Sequence, residues 1–163
     1  MLILAKSMGE FSFGKLMEVY RESCQENGQQ FWPRETPERQ LALSEQDFYE
    51  YLAAGFFPVQ GAVYAIWLVN DRYVSALRLE PYRDGLLLEA LETVPDCRRR
   101  GYAVELIRAV LERYANVKIY SHVGKRNAAS LSVHEKCGFR RIQEHAVYID
   151  GSVNDRCCTL CHG

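Results

Sequence analysis

"LLLEALETVPDCRRRGYAVELIRAVLERY", residues 86–114, changes its hydrophobic period part-way along. Residues 86–94 are rich in strand formers, and Pro95 marks a corner. From Gly101 the period becomes helical, with Ala103, Ile107, Val110, Leu111 and Tyr114 on one face. The stretch therefore predicts a strand, a tight turn and a helix. Such a junction exposes the free N–H groups of the first helical turn, and these together with the helix dipole favour an anion. Arg98, Arg99 and Arg100 stand beside it. By spacing alone they suit either a phosphate cradle or a solvated corner.

Outward from this junction, other elements follow the same rules. Residues 62–69, 73–82 and 86–94 read as three strands in an antiparallel meander, with turn chemistry at 70–73 and at Arg83–Gly85. Helices are predicted over 12–27, 44–55, 101–114 and 127–138, the last capped by Asn127 and stopped by Gly138. Further strands fall at 117–123, 146–150 and 156–160, and one more fits residues 1–5. Residues 31–40, with two prolines, read as a loop. The order ααβββαβαββ is that of a mixed α/β protein, and 163 residues suit one domain over 1–163.

Composition limits the function. Hydrophobic residues form 48% of the chain and charged residues 25%, an ordinary globular balance, and the net charge is −1. A duplex binder carries a basic excess, so nucleic acid is not the expected partner. No stretch approaches the 18 apolar residues of a membrane span, and the start of the chain is too short in apolar residues for a secretory signal. A cytoplasmic protein with no membrane partner is expected. The string "CTLCH" (158–162) matches a haem attachment sequence. On a strand, however, Cys158 and Cys161 point to opposite faces, so neither haem nor metal is expected.

The spacing of "RRRGYA" (98–103) resembles the acyl-CoA loop, [Q/R]-x-x-G-x-[G/A], of the GCN5-related N-acetyltransferases (GNATs). Further on, "NAASLSVHEKCGF" (127–139) resembles that family's second signature, an Asn and a small residue followed by Tyr-Glu-Lys-x-Gly-Phe. The motifs cover about residues 86–139, and the element order fits nearly the whole chain. The resemblance implies a mostly antiparallel, splayed central sheet flanked by helices, with C-terminal strands forming a hairpin around the acceptor pocket. It implies acetyl-CoA as acyl donor, with Leu91, Glu92 and Thr93 pairing with pantetheine. Arg98, Arg99, Arg100, Gly101, Tyr102, Ala103 and Val104 form the pyrophosphate loop, and Asn127 a further cofactor contact. Residues 1 to about 60 carry no family signature.

The implied reaction, acetyl transfer to a primary amine in a ternary complex, needs a base, an oxyanion donor and an acid for the thiolate. The Leu91 or Thr93 amide is the expected oxyanion donor. His134 stands where the family has its Tyr. It shares a helical stripe with Asn127 and Leu131, while Ser130, Val133 and Cys137 read as packing. Glu89 is the first expected base, on one strand face with Leu91 and Thr93, and Glu92 on the other face is the second. His122 is a third, and Lys125 and Arg126 are candidates for the 3′-phosphate. The alternative is an acyl-CoA-binding regulatory module weakened in catalysis. The acceptor is not specified by the sequence, and the assembly is expected to be a monomer or homodimer.

Overall fold

In the computed structural model, which describes residues 1–163, a seven-stranded sheet runs in the order β1-β2-β3-β4-β5-β9-β6. The strands are β1 (Leu2–Ala5), β2 (Val63–Val69), β3 (Arg72–Tyr82), β4 (Gly85–Thr93), β5 (Lys118–Gly124), β6 (Arg140–Gln143) and β9 (Cys157–His162). A separate small hairpin is made by β7 (Ala146–Val147) and β8 (Val153–Asn154). All neighbours in the large sheet are antiparallel except β4 and β5.

Helices α1 (Phe13–Phe31) and α2 (Pro37–Tyr51) cover one face, and α3 (Tyr102–Arg113) and α4 (Ala128–Lys136) the other. On the first face Leu16, Val19 and Tyr20 of α1 are buried against Tyr64, Ile66 and Ala76. On the second, Leu106, Ile107 and Val110 of α3 are buried against Ala65, Leu77 and Leu88. Alternate residues of β2 and β3 thus feed opposite cores, which is why these strands read as continuous apolar runs.

Several boundaries differ from the sequence reading. α2 begins at Pro37 because Thr36 caps it, its hydroxyl accepting from the Arg39 amide, and proline is at home in a first turn. The predicted strand 146–150 keeps only Ala146–Val147, since Asp150 bonds the Ser152 amide and turns the chain. The short β6 was not anticipated. β9 inserts between β5 and β6, so the C-terminal strands complete the large sheet as well as forming a hairpin. Cys158 lies in the α3 core, whereas Cys161 packs on the other face against Tyr82, Leu87 and Tyr120.

Where β4 meets β5 in parallel, Gly85 faces Lys118 so closely that a Cβ would sit 2.0 Å from the Lys118 carbonyl oxygen. Gly85→Ala is expected to destabilise the fold by ~3 kcal/mol through forced backbone movement. The check is a chemical-denaturation midpoint compared with Gly9→Ala, where a Cβ meets open space.

Candidate active site

The β4–α3 junction has the form of an anion cradle: a run of unpartnered amides at a helix N-terminus. Gly101 caps α3 at φ 85°, and Arg99 is held at φ 63°, a conformation costly for any residue but glycine. The amides of Arg99 to Val104 donate to no acceptor in the protein; the first helical bond is from Glu105 to the Gly101 carbonyl. The loop is pinned at its start. Arg72 makes a two-pronged ion pair with Asp96 at 2.8 and 3.0 Å, and Cys97 is buried beneath. Arg98 differs from the expectation. Its amide bonds Pro95, its side chain reaches the Thr93 carbonyl at 3.2 Å and Glu22 at 3.4 Å, and so it braces the loop. Arg99 and Arg100 remain exposed on the cradle.

Beside the cradle the sheet opens. β4 and β5 pair only from Gly85–Leu88 against Lys118–Ser121 and then diverge. Leu77 of β3 faces two residues of β4, since Ala76 pairs with Glu92 and Arg78 with Glu89. This is a β-bulge at Ala90–Leu91. Ala90 has φ 52°, and its carbonyl accepts from the Tyr20 hydroxyl of α1 at 2.6 Å. The Val94 amide is spent on Val74, so strand alternation aims the Thr93 and Leu91 amides away from β3, toward the opening. The resulting wedge holds a cavity of about 200 Å³ lined by residues of both strands, among them Glu89 and His122, and by Asn127, Ser130 and His134 of the α4 end.

Because the bulge resets the alternation, Glu89 and Glu92 share a face, contrary to the sequence reading. Both point to the α1–α2 side, opposite Arg78 and Ala76, while Leu91 packs toward α3. Their surroundings differ. Glu89 lines the wedge, its Oε2 is buried without a partner, and burial together with the Glu80 carboxylate pushes its pKa up to about 7. Glu92 is bonded to the Ser23 hydroxyl of α1 and lies outside the wedge lining; burial raises its pKa. Of the two, only Glu89 faces the opening. His122 also faces it, 3.3 Å from the Tyr82 hydroxyl and edge-on to Tyr148, with its pKa lowered by burial. Lys125 and Arg126 are exposed at the far rim.

Residues 16–139 match the acetyltransferase (GNAT) family. The chain belongs to this family. No curated protein matches the sequence. Among solved structures, the chain is similar to the ribosomal-protein-S18-alanine N-acetyltransferase of Escherichia coli, at 16% identity and TM-score 0.59 over 99% of this chain and 92% of that one. It is similar to the PaiA N-acetyltransferase of Thermoplasma acidophilum in complex with coenzyme A, at 12% identity and TM-score 0.59 over 99% and 98%. A spermidine N-acetyltransferase chimera from Vibrio cholerae gives 17% and 0.58 over 98% and 93%. These likenesses concern the fold.

This GNAT departs from the family signature at His134, and the structure shows what the imidazole does. It is buried; Nδ1 lies 2.8 Å from the Ser130 carbonyl and Nε2 2.8 Å from the Ser121 hydroxyl. A carbonyl only accepts, so Nδ1 carries the proton. Nε2 of the neutral ring then accepts from Ser121. Burial lowers the His134 pKa, which holds the ring in that form. His134 and Asn127 both line the wedge, as the shared stripe implied, but Leu131 turns to the core and Ser130, read as packing, joins the wall. Asn127 caps α4, its carbonyl oxygen accepting from the Ser130 amide at 3.1 Å. Sequence reasoning missed Tyr20, Ser121 and Arg78; each acts through a partner distant in sequence, and no local pattern marks them.

Depression of the His134 pKa carries a sign for stability. Below the ordinary imidazole value near 6.5 the unfolded chain takes up a proton that the folded ring resists, so stability falls as pH drops through that value. Nitrogen-15 NMR is expected to show His134 as the Nδ1–H tautomer at pH 7, titrating below 6.5. A signal typical of the Nε2–H tautomer would contradict the assignment.

Proposed function

We propose that the chain is an acetyl-CoA-dependent N-acetyltransferase that moves an acetyl group directly to a primary amine within a ternary complex, residues 1–163 acting as one domain. The observation that carries this reading is convergence. The free edge of β4 and the buried carboxylate of Glu89 open onto one wedge, and the free amides Arg99 to Val104 follow directly beyond the end of the same strand. The cradle fits a diphosphate, because six amides, a helix N-terminus, Arg99 and Arg100 offer it charge and donors. The open β4 edge fits an extended amide-bearing arm, which would pair with it as an added strand. The acyl donor supplies an activated thioester.

This chain's residues supply the rest. Glu89 takes the amine proton, directly or through one water, and its raised pKa matches that task. The Leu91 or Thr93 amide holds the developing oxyanion. As the C–N bond forms and the C–S bond breaks, the thiolate departs. His134 orients Ser121 and offers no proton from Nε2 in its neutral form, so it does not take over the Tyr's role as acid. That same arrangement favours a second reading, an acyl-CoA-binding module weakened in catalysis. Thiol release with an amine panel separates the two.

Two outcomes follow. Glu89→Gln is expected to lower kcat/KM by roughly 10²- to 10⁴-fold with acetyl-CoA affinity unchanged. In the native enzyme the rate should climb as pH rises through about 7, where Glu89 ionises, and the variant should lose that limb. Ala103→Pro removes one cradle amide at a helix position that tolerates proline, and is expected to weaken acetyl-CoA by about 10-fold in calorimetric titration. Failure of the native protein to bind acetyl-CoA would overturn the proposal.

A further inference from the structure

Three buried side-chain polar atoms lack a hydrogen-bond partner: Tyr64 Oη, Arg78 Nε and Glu89 Oε2. They are not scattered. Tyr64 stands opposite Arg78 across β2 and β3, and Arg78 opposite Glu89 across β3 and β4. The three form one row across three strands, on the face beneath α1 and α2. Native proteins leave few such groups, and each calls for an explanation. Here all of them coincide, and the row ends at the wedge.

The row has a definite chemistry. The Arg78 guanidinium lies over the Tyr51, Phe56 and Phe48 rings, 5.0, 5.8 and 5.9 Å from their centroids. It makes no ion pair, although the Glu89 carboxylate is near enough to act on it. Tyr20 lies beside Tyr64 but gives its proton to the Ala90 carbonyl. Tyr51, which roofs Arg78, is 42% exposed and leads into a π-helical turn, Leu52–Phe56, a backbone form that recurs at functional sites. The row therefore holds a fixed cation and a buried hydroxyl inside an aromatic frame, and it reaches the wedge at Glu89.

We infer that this row is the acceptor subsite and that the acceptor is a small amino acid, with its carboxylate on Arg78 and Tyr64 and its amine at Glu89. The inference rests on the N-acetyltransferase reading and adds the substrate class to it. Neighbouring strands lie about 4.8 Å apart, so the anion and the amine must be close together in one molecule. A free amino acid meets that demand. A polyamine would set a second cation against Arg78, and a protein N-terminus has no carboxylate beside its amine. A carboxylate gives Arg78 the paired contact that its planar fork favours.

A matched series tests this on the native enzyme: free amino acids, their carboxamides, the corresponding decarboxylated amines, and spermidine, each with acetyl-CoA and thiol release as readout. The free acids are expected to exceed the carboxamides by about 100-fold in kcat/KM. Arg78→Met should bring that ratio close to one, with acetyl-CoA affinity unchanged; Arg78→Lys should restore part of it. Carboxamides or spermidine equal to the free acids in the native enzyme would overturn the inference, whether or not the variants fold. Amino-acid binding without acetyl-CoA, read as a thermal shift against the carboxamide, keeps the two readings apart. Acid-selective binding in a protein that ignores acetyl-CoA would sink the acetyltransferase reading and leave the subsite standing. Acetyl-CoA turnover with no acid preference would do the reverse.

Discussion

One hydrogen bond sets the geometry on which the site depends: that from the Tyr20 hydroxyl to the Ala90 carbonyl, at 2.6 Å. A left-handed alanine inside a strand costs about 1 kcal/mol or more, and a buried bond to its carbonyl offsets a similar amount. The bulge that results does three things together. It coincides with the end of β4–β5 pairing beyond Leu88, and it turns Glu89 and Glu92 to the same face. It also leaves the strand's amides beyond the bulge facing an opening instead of a ladder. A regular strand would close the wedge or bury its carboxylates against different helices.

Electrostatics then separates groups that look alike in sequence. Glu89 and Glu92 are two carboxylates three residues apart, each mostly removed from water. Ser23 takes up Glu92, while Glu89 keeps an unpaired oxygen and has Glu80 beside it. The arginines divide in the same way. Arg98 is spent on Thr93 and Glu22, whereas Arg99 and Arg100 stay free at a helix terminus whose amides have no partner. A basic triplet is thus one brace and two open charges.

The parts of the site that were legible in the sequence are local. A strand, corner and helix within 86–114, and an Asn cap seven residues before His134, follow from periodicity and capping, and both landed where expected. The bulge was not legible, because its cause lies 70 residues away in α1. That is why the faces of Glu89 and Glu92 came out wrong. The Arg78 row was hidden for the same reason: strand register is a tertiary fact, and Tyr64, Arg78 and Glu89 share no spacing. The start of α2 was legible in principle, since Thr36-Pro37-Glu38 is a helix-start signal, but two prolines nearby made a loop the simpler reading.

The replacement of the family's tyrosine by His134 narrows the chemistry. With Nδ1–H fixed on a helix carbonyl and Nε2 accepting from Ser121, the imidazole has no proton to offer at neutral pH. An acid for the departing sulfur is the least demanding of the reaction's needs. A thiol's ordinary pKa is about 8.5, so a thiolate leaves with modest help, whereas an alkylammonium near 10.4 must lose its proton before it can attack. On the proposed reaction, a fold that raises the Glu89 pKa and gives position 134 to a histidine bonded within the protein puts its electrostatic effort on the amine side. That is the side where the orphaned row of Tyr64, Arg78 and Glu89 also lies.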